Sequence, residues 1–230
     1  MDKHIVAIGG GGFGRKLGKL KIEKYIVSLS QELKPNICFI PTASGDDDAY
    51  KVSFYSAFSK LGCNPSHIDF FKRTHDLQDH IRKQHIIYVG GGNTKSMLAI
   101  WRDWGLDLIL KEAYCKGVIM SGVSAGAICW FNKGITDSWE KHLQLIDCLG
   151  FAEGNCCPHY DEEESRIPYV EDLVGKGLID SCIAIEGNCA LHIKNGMPFK
   201  SISFGKEKNT YLVKLEKEEI VSKPYPMKQI

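Results

Sequence analysis

The sequence predicts an α/β fold, a parallel sheet sandwiched by helices with an antiparallel C-terminal edge. Short β-branched apolar runs recur along most of the chain, each with the length of a strand buried on both faces. Longer amphipathic stretches alternate with them, as in βαβ units. The tail instead holds strand-like runs separated by turns such as Lys194-Asn195-Gly196, a hairpin signal.

Taken in order, the run 5–8 ends in Gly9-Gly10-Gly11-Gly12, and a helix is expected at about 20–33. The run 37–40 ends in Pro41-Thr42-Ala43-Ser44 and precedes a helix at 48–61. Runs 68–71 and 86–89 follow, the latter ending in Gly90-Gly91-Gly92-Asn93 before helices at 94–103 and 106–116. The run 118–120 leads into a helix at 124–131, and a further helix is expected at 162–175. The run 183–185 ends in Glu186-Gly187-Asn188, and tail strands are expected at 189–193, 199–204, 211–215 and 219–221. Ligands of such sheets bind beyond the carboxyl ends of the strands, where these loops fall.

A chain of 230 residues can bury a full core, and 1–230 reads as a single domain. With 43% hydrophobic and 25% charged residues it has the composition of a soluble globular protein. A net charge of +1 points to no nucleic-acid or acidic-membrane partner, and no apolar stretch has the length of a membrane span. The N-terminus lacks the apolar core of a signal peptide. Nine scattered cysteines, odd in number and without a CxxC pair, read as reduced packing thiols of a cytoplasmic protein. Neither a metal nor a cofactor is expected. Gly9 to Gly14 formally satisfies G-x-G-x-x-G, but the next strand ends in Pro41-Thr42 and offers no acidic residue for a ribose.

Gly122-Val123-Ser124-Ala125-Gly126, entered from a strand and left by a helix, is the pattern of a serine nucleophile on a strand-to-helix elbow. Such a serine needs a base and a group that orients the base. Of eight histidines, His4, His67, His75, His80, His85 and His142 fall where solvated histidine is the default, and His192 reads as packed or at an edge. His159, fixed by Pro158 and followed by Asp161-Glu162-Glu163-Glu164, is the candidate base, and the acidic run reads as a solvated helix start. Glu186, a carboxylate at a strand end, is preferred as the acid, with Asp137 in a turn-rich loop as the alternative. Gly90-Gly91-Gly92-Asn93-Thr94 offers an oxyanion donor to complement the Ala125 N–H, besides an Asn or Thr helix cap.

Together, Gly90-Gly91-Gly92-Asn93-Thr94, Gly122-Val123-Ser124-Ala125-Gly126-Ala127, Pro158-His159 and Glu186-Gly187-Asn188 resemble the peptidase E family of serine peptidases, family S51, which includes cyanophycinase. The resemblance implies a sandwich related to class I glutamine amidotransferases, and metal-free hydrolysis of dipeptides or short peptides after an N-terminal Asp. By motif, Ser124 matches the nucleophile, His159 the base, and Gly92 and Ala125 the oxyanion-hole donors. The third member has two assignments in the family; Glu186 matches one, whereas Asp137 lies only near the other. Asn93 and Arg166, the nearest cation beyond His159, are the expected substrate contacts. The partner expected is a short peptide, and exposed edge strands would suit a homodimer. The rival readings are an α/β-hydrolase-type esterase and a non-catalytic binding protein on an amidotransferase-like fold.

Overall fold

The computed structural model describes residues 2–15, 19–74, 76–140 and 142–230; His75 lies outside them. Two sheets stack within the chain. The larger has eight strands, ordered β14-β11-β10-β1-β5-β4-β2-β3. Five adjacent strands form its parallel set: β1 (His4–Ile8), β5 (Ile119–Val123), β4 (Ile86–Val89), β2 (Asn36–Ile40) and, at the edge, β3 (Asn64–His67), while the run 183–185, expected to join them, lies in the other sheet. On one face Val6, Ile8, Phe39 and Tyr88 pack against α1 (Lys21–Val27) and α2 (Asp48–Lys60). On the other, Ile5, Ala7, Ile87 and Val89 meet α3 (Leu77–Arg82), α4 (Thr94–Asp103), α5 (Leu106–Cys115) and the second sheet. The period-2 alternation of a strand delivers one residue to each core in turn.

Three helices begin where the sequence supplies a side-chain cap. Asp47, Asp76 and Asn93 each accept a hydrogen bond from the backbone N–H three residues on, opening α2, α3 and α4. α1 stops at Val27, earlier than expected, because Leu29 N–H turns back to Ile26 O and Leu33 is left fully exposed with nothing to pack on.

The strand expected at 68–71 sits earlier, at β3. The Phe70 and Phe71 N–H groups are drawn off the ladder to the Asp46 carboxylate, while Ile68 and Phe70 still bury their side chains.

The second sheet, ordered β13-β12-β9-β8-β6-β7, was not legible as such. It contains β6 (Lys133–Trp139), β7 (His142–Asp147), β8 (Asn155–Cys157) and β9 (Ser181–Ile185). The C-terminal tail divides between the sheets instead of forming one edge. β10 (Cys189–Lys194) pairs antiparallel with β1 and carries β11 (Met197–Ser203) and β14 (Met227–Gln229). β12 (Thr210–Glu216) and β13 (Glu219–Pro224) extend the second sheet from β9. α7 (Arg166–Gly175) covers its outer face through Val170, Leu173 and Val174.

Cys156 and Cys157 are adjacent on β8 and point to opposite cores, as strand geometry requires. No helix among the described residues is long and apolar enough to cross a membrane.

Candidate active site

β5 ends at Val123, and the chain turns at once into α6 (Ala125–Ile128). Ser124 occupies the turn at φ 58° and ψ −113°, a conformation an L-residue holds only when its surroundings enforce it. They do. Ser124 N–H is fixed to Ile8 O at 3.0 Å, and its carbonyl accepts from Ala127 and Ile128. A Cβ on Gly126 would lie 2.3 Å from Val89 O, and one on Gly122 2.4 Å from Gly126 O, so both flanking glycines are steric requirements. α6 is shorter than expected because the carbonyls of Cys129, Trp130 and Phe131 accept from residues 149–152 instead of continuing a helix.

His159 follows β8 and Pro158, and its backbone N–H donates to Gly9 O at 3.1 Å. The ring is almost fully buried, with Nε2 2.8 Å from Ser124 Oγ. Its Nδ1 lies 2.6 Å from Glu162 Oε2. With an ionised Glu162, both contacts are hydrogen bonds only when the proton sits on Nδ1, leaving Nε2 to accept from the serine hydroxyl.

The carboxylate on His159 is therefore neither Glu186 nor Asp137. Glu186 Oε2 accepts from Asn209 N–H at 2.7 Å, tying the β9–β10 turn to the start of β12. Asp137 lies in strand β6, not a loop, and its side chain is mostly exposed, 3.9 Å from Arg166. The Glu186-Gly187-Asn188 turn still serves the site, through its glycine. A Cβ on Gly187 would sit 2.3 Å from Glu162 Cδ, and one on Gly10 2.6 Å from Glu162 Oε2, so the two glycines form the slot that holds the carboxylate.

Glu162 was hidden in an acidic run read as a solvated helix start. In the structure α7 begins only at Arg166. Residues 160–165 form turns in which Asp161 accepts from Gly187 N–H and pairs with Lys208. The available signal was the three-residue spacing of Glu162 from a histidine fixed by proline.

Arg15, also missed, donates from Nη1 to Glu162 Oε1, and its Nη2 lies 3.3 Å from His159 Nδ1. Burial pushes the Glu162 carboxyl up, but hydrogen bonds and charge from Arg15 and His159 outweigh it and hold the group below its ordinary value.

The remaining expectations divide. Gly91 is the loop residue that faces the elbow, since a Cβ there would lie 3.2 Å from Ser124 Cβ, whereas one on Gly92 would meet Ala43 O at 2.1 Å. Neither the Gly92 nor the Ala125 N–H has a hydrogen-bond partner among the described residues. Asn93 is engaged structurally at both ends of its amide, capping α4 through Oδ1 and donating from Nδ2 to Ser138 O. Arg166 is 1% exposed and held by Glu163 and Ile135 O, so it is closed to a substrate carboxylate. Within the Gly9 to Gly12 loop, Gly10 backs His159 and Glu162.

The chain is 43% identical over 229 residues to the "uncharacterized peptidase YgaJ" of Bacillus subtilis (strain 168), covering 99% of each. It is 27% identical over 172 residues to peptidase E of Haemophilus influenzae, covering 70% of this chain and 78% of that one. The crystal structure of a peptidase from an acI-B1 Actinobacterium shares the fold at a TM-score of 0.70 and 18% identity, covering 97% of this chain and 95% of that one. The sequence profile of peptidase family S51 matches residues 5–200, a span that begins in β1 and includes the elbow, His159, Glu162 and the Glu-Gly-Asn turn. The chain belongs to peptidase family S51.

Proposed function

We propose that this chain is a serine peptidase acting on dipeptides or short peptides, with Ser124 as nucleophile, His159 as general base and acid, and Glu162 as the carboxylate that orients the imidazole. The observation that carries the reading is the unbroken line from Ser124 Oγ to His159 Nε2, 2.8 Å, and from Nδ1 to Glu162 Oε2, 2.6 Å. A hydroxyl on a strained elbow with its proton directed at a buried imidazole is the arrangement that nucleophilic catalysis requires.

In the reaction, Ser124 Oγ bonds to the substrate carbonyl carbon while His159 Nε2 takes the hydroxyl proton. Glu162 keeps the Nδ1 proton in place and stabilises the imidazolium that forms. The free N–H groups of Gly92 and Ala125 receive the oxyanion. The tetrahedral species collapses as His159 returns its proton to the amine, the C–N bond breaks, and an acyl-serine remains. Water, deprotonated by the same nitrogen, attacks the ester; the acyl C–Oγ bond then breaks as His159 returns that proton to Ser124 Oγ, and the acid leaves. Nine cysteines without a disulfide fit a reducing compartment.

Family resemblance makes an N-terminal Asp the first specificity to test, although Arg166 is excluded as the cation that would read it. Wild type and Ser124→Ala should be assayed on a panel of Asp-X, Glu-X and neutral dipeptides by amino-acid release. Turnover of at least one class by wild type, and its loss in Ser124→Ala, is expected. Full activity in Ser124→Ala would remove the serine mechanism, and hydrolysis of p-nitrophenyl esters without any peptide would favour an esterase.

A further inference from the structure

The geometry points to Arg15 as a positioning residue that holds Glu162 ionised and turned toward His159, so that the loop after β1 sets the state of the catalytic pair. This inference rests on the triad reading above. The two oxygens of Glu162 are divided: Oε2 meets His159 Nδ1, and Oε1 receives Arg15 Nη1. A carboxylate gripped at both oxygens cannot rotate away from the imidazole without giving up one of two charge-assisted contacts.

An exposed ion pair ordinarily contributes little. Here the arginine side chain is 53% exposed, but its partner is only 23% exposed and is packed between Gly10 and Gly187. A half-buried carboxyl without a cation tends to take up a proton. A protonated Glu162 would no longer fix the Nδ1 proton on His159, and Nε2 would lose the tautomer that accepts from Ser124.

The other charges around the pair do not replace Arg15. Lys208 is joined to Asp161, Glu163 is bonded to Arg166, and the Glu186 carboxylate is bonded to Asn209 N–H. Arg15 N–H closes a turn onto Gly12 O, which places the guanidinium over the site from the strand that also supports Ser124 through Ile8 O.

The test uses full-length protein labelled with carboxyl-¹³C glutamate, with Glu162 assigned by the resonance missing from Glu162→Gln. In Arg15→Met, the Glu162 titration midpoint should rise by about one pH unit or more, because an adjacent arginine lowers a carboxyl by ~1–3 units. In Arg15→Lys, which keeps the charge but loses the fork, most of that rise should be absent. On a hydrolysed peptide, the acid limb of kcat/KM should move up in Arg15→Met in parallel, with kcat falling and KM held. An unmoved Glu162 midpoint in Arg15→Met overturns the inference. The titration reads this whether or not any peptide is cleaved, so loss of the peptidase reading is seen separately, as wild type without turnover.

Discussion

The strand-to-helix elbow at Ser124 could be read from five residues because it is a local steric device: glycines at 122 and 126 are needed where backbone meets backbone. The carboxylate beside His159 could not be read that way. Glu186 stands at a strand end and Asp137 near the nucleophile helix, yet neither carboxylate reaches His159. What selects Glu162 is a contact between segments far apart in the chain, in which Gly10 and Gly187 leave a slot for its side chain. Filling that slot is a sharp test. Gly187→Ala places a methyl 2.3 Å from Glu162 Cδ and should displace the carboxylate from Nδ1. A misplacement of that order costs about 10²-fold in kcat. Far-ultraviolet circular dichroism should stay native, which separates the effect from unfolding.

Among the elements, the central parallel strands and helices α2, α4 and α5 lay close to expectation, because long apolar runs mark the strands, side-chain caps mark α2 and α4, and Gly105 precedes α5. The strands at 133–157 escaped notice because Lys133-Gly134-Ile135-Thr136-Asp137-Ser138 carries too little apolar alternation to stand out. Their pairing with β9 is a tertiary choice. The junction of β5 and α6 is tightly constrained, since Gly126 lies against Val89 of the neighbouring strand. Gly126→Ala should cost about 1–3 kcal/mol in urea unfolding, the range for overpacking a filled core. Unchanged stability would mean that the elbow has room it does not show.

For the whole molecule, the helices on both faces of the parallel sheet were legible and the second sheet was not. The same β-branched runs suit either sheet, and only partner choice distinguishes them. On β10, opposite Val6 of β1, His192, expected to be packed or at an edge, is 3% exposed, joined to Tyr25 Oη at 2.8 Å and His4 Nδ1 at 2.9 Å. Burial first, then the charges of His4, Lys200 and Lys194, push its pKa from 6.5 down to about 4. The unfolded chain therefore binds this proton at a higher pH than the folded one. Stability from this site is intact above pH 6.5 and is lost as pH falls toward about 4. The loss is on the order of 3 kcal/mol at most. Urea midpoints across that window should fall in wild type and flatten in His192→Gln.

The central claim, that Glu162 and not Glu186 orients His159, is tested most directly by kcat of Glu162→Gln and Glu186→Gln on the same hydrolysed dipeptide. A loss of about 10³–10⁴-fold is expected in Glu162→Gln, the scale of a triad left with the wrong tautomer. A loss under about tenfold is expected in Glu186→Gln, whose carboxylate accepts a single backbone hydrogen bond worth ~1.5–3 kcal/mol to the fold. Near-normal turnover in Glu162→Gln with collapse in Glu186→Gln would contradict the central claim.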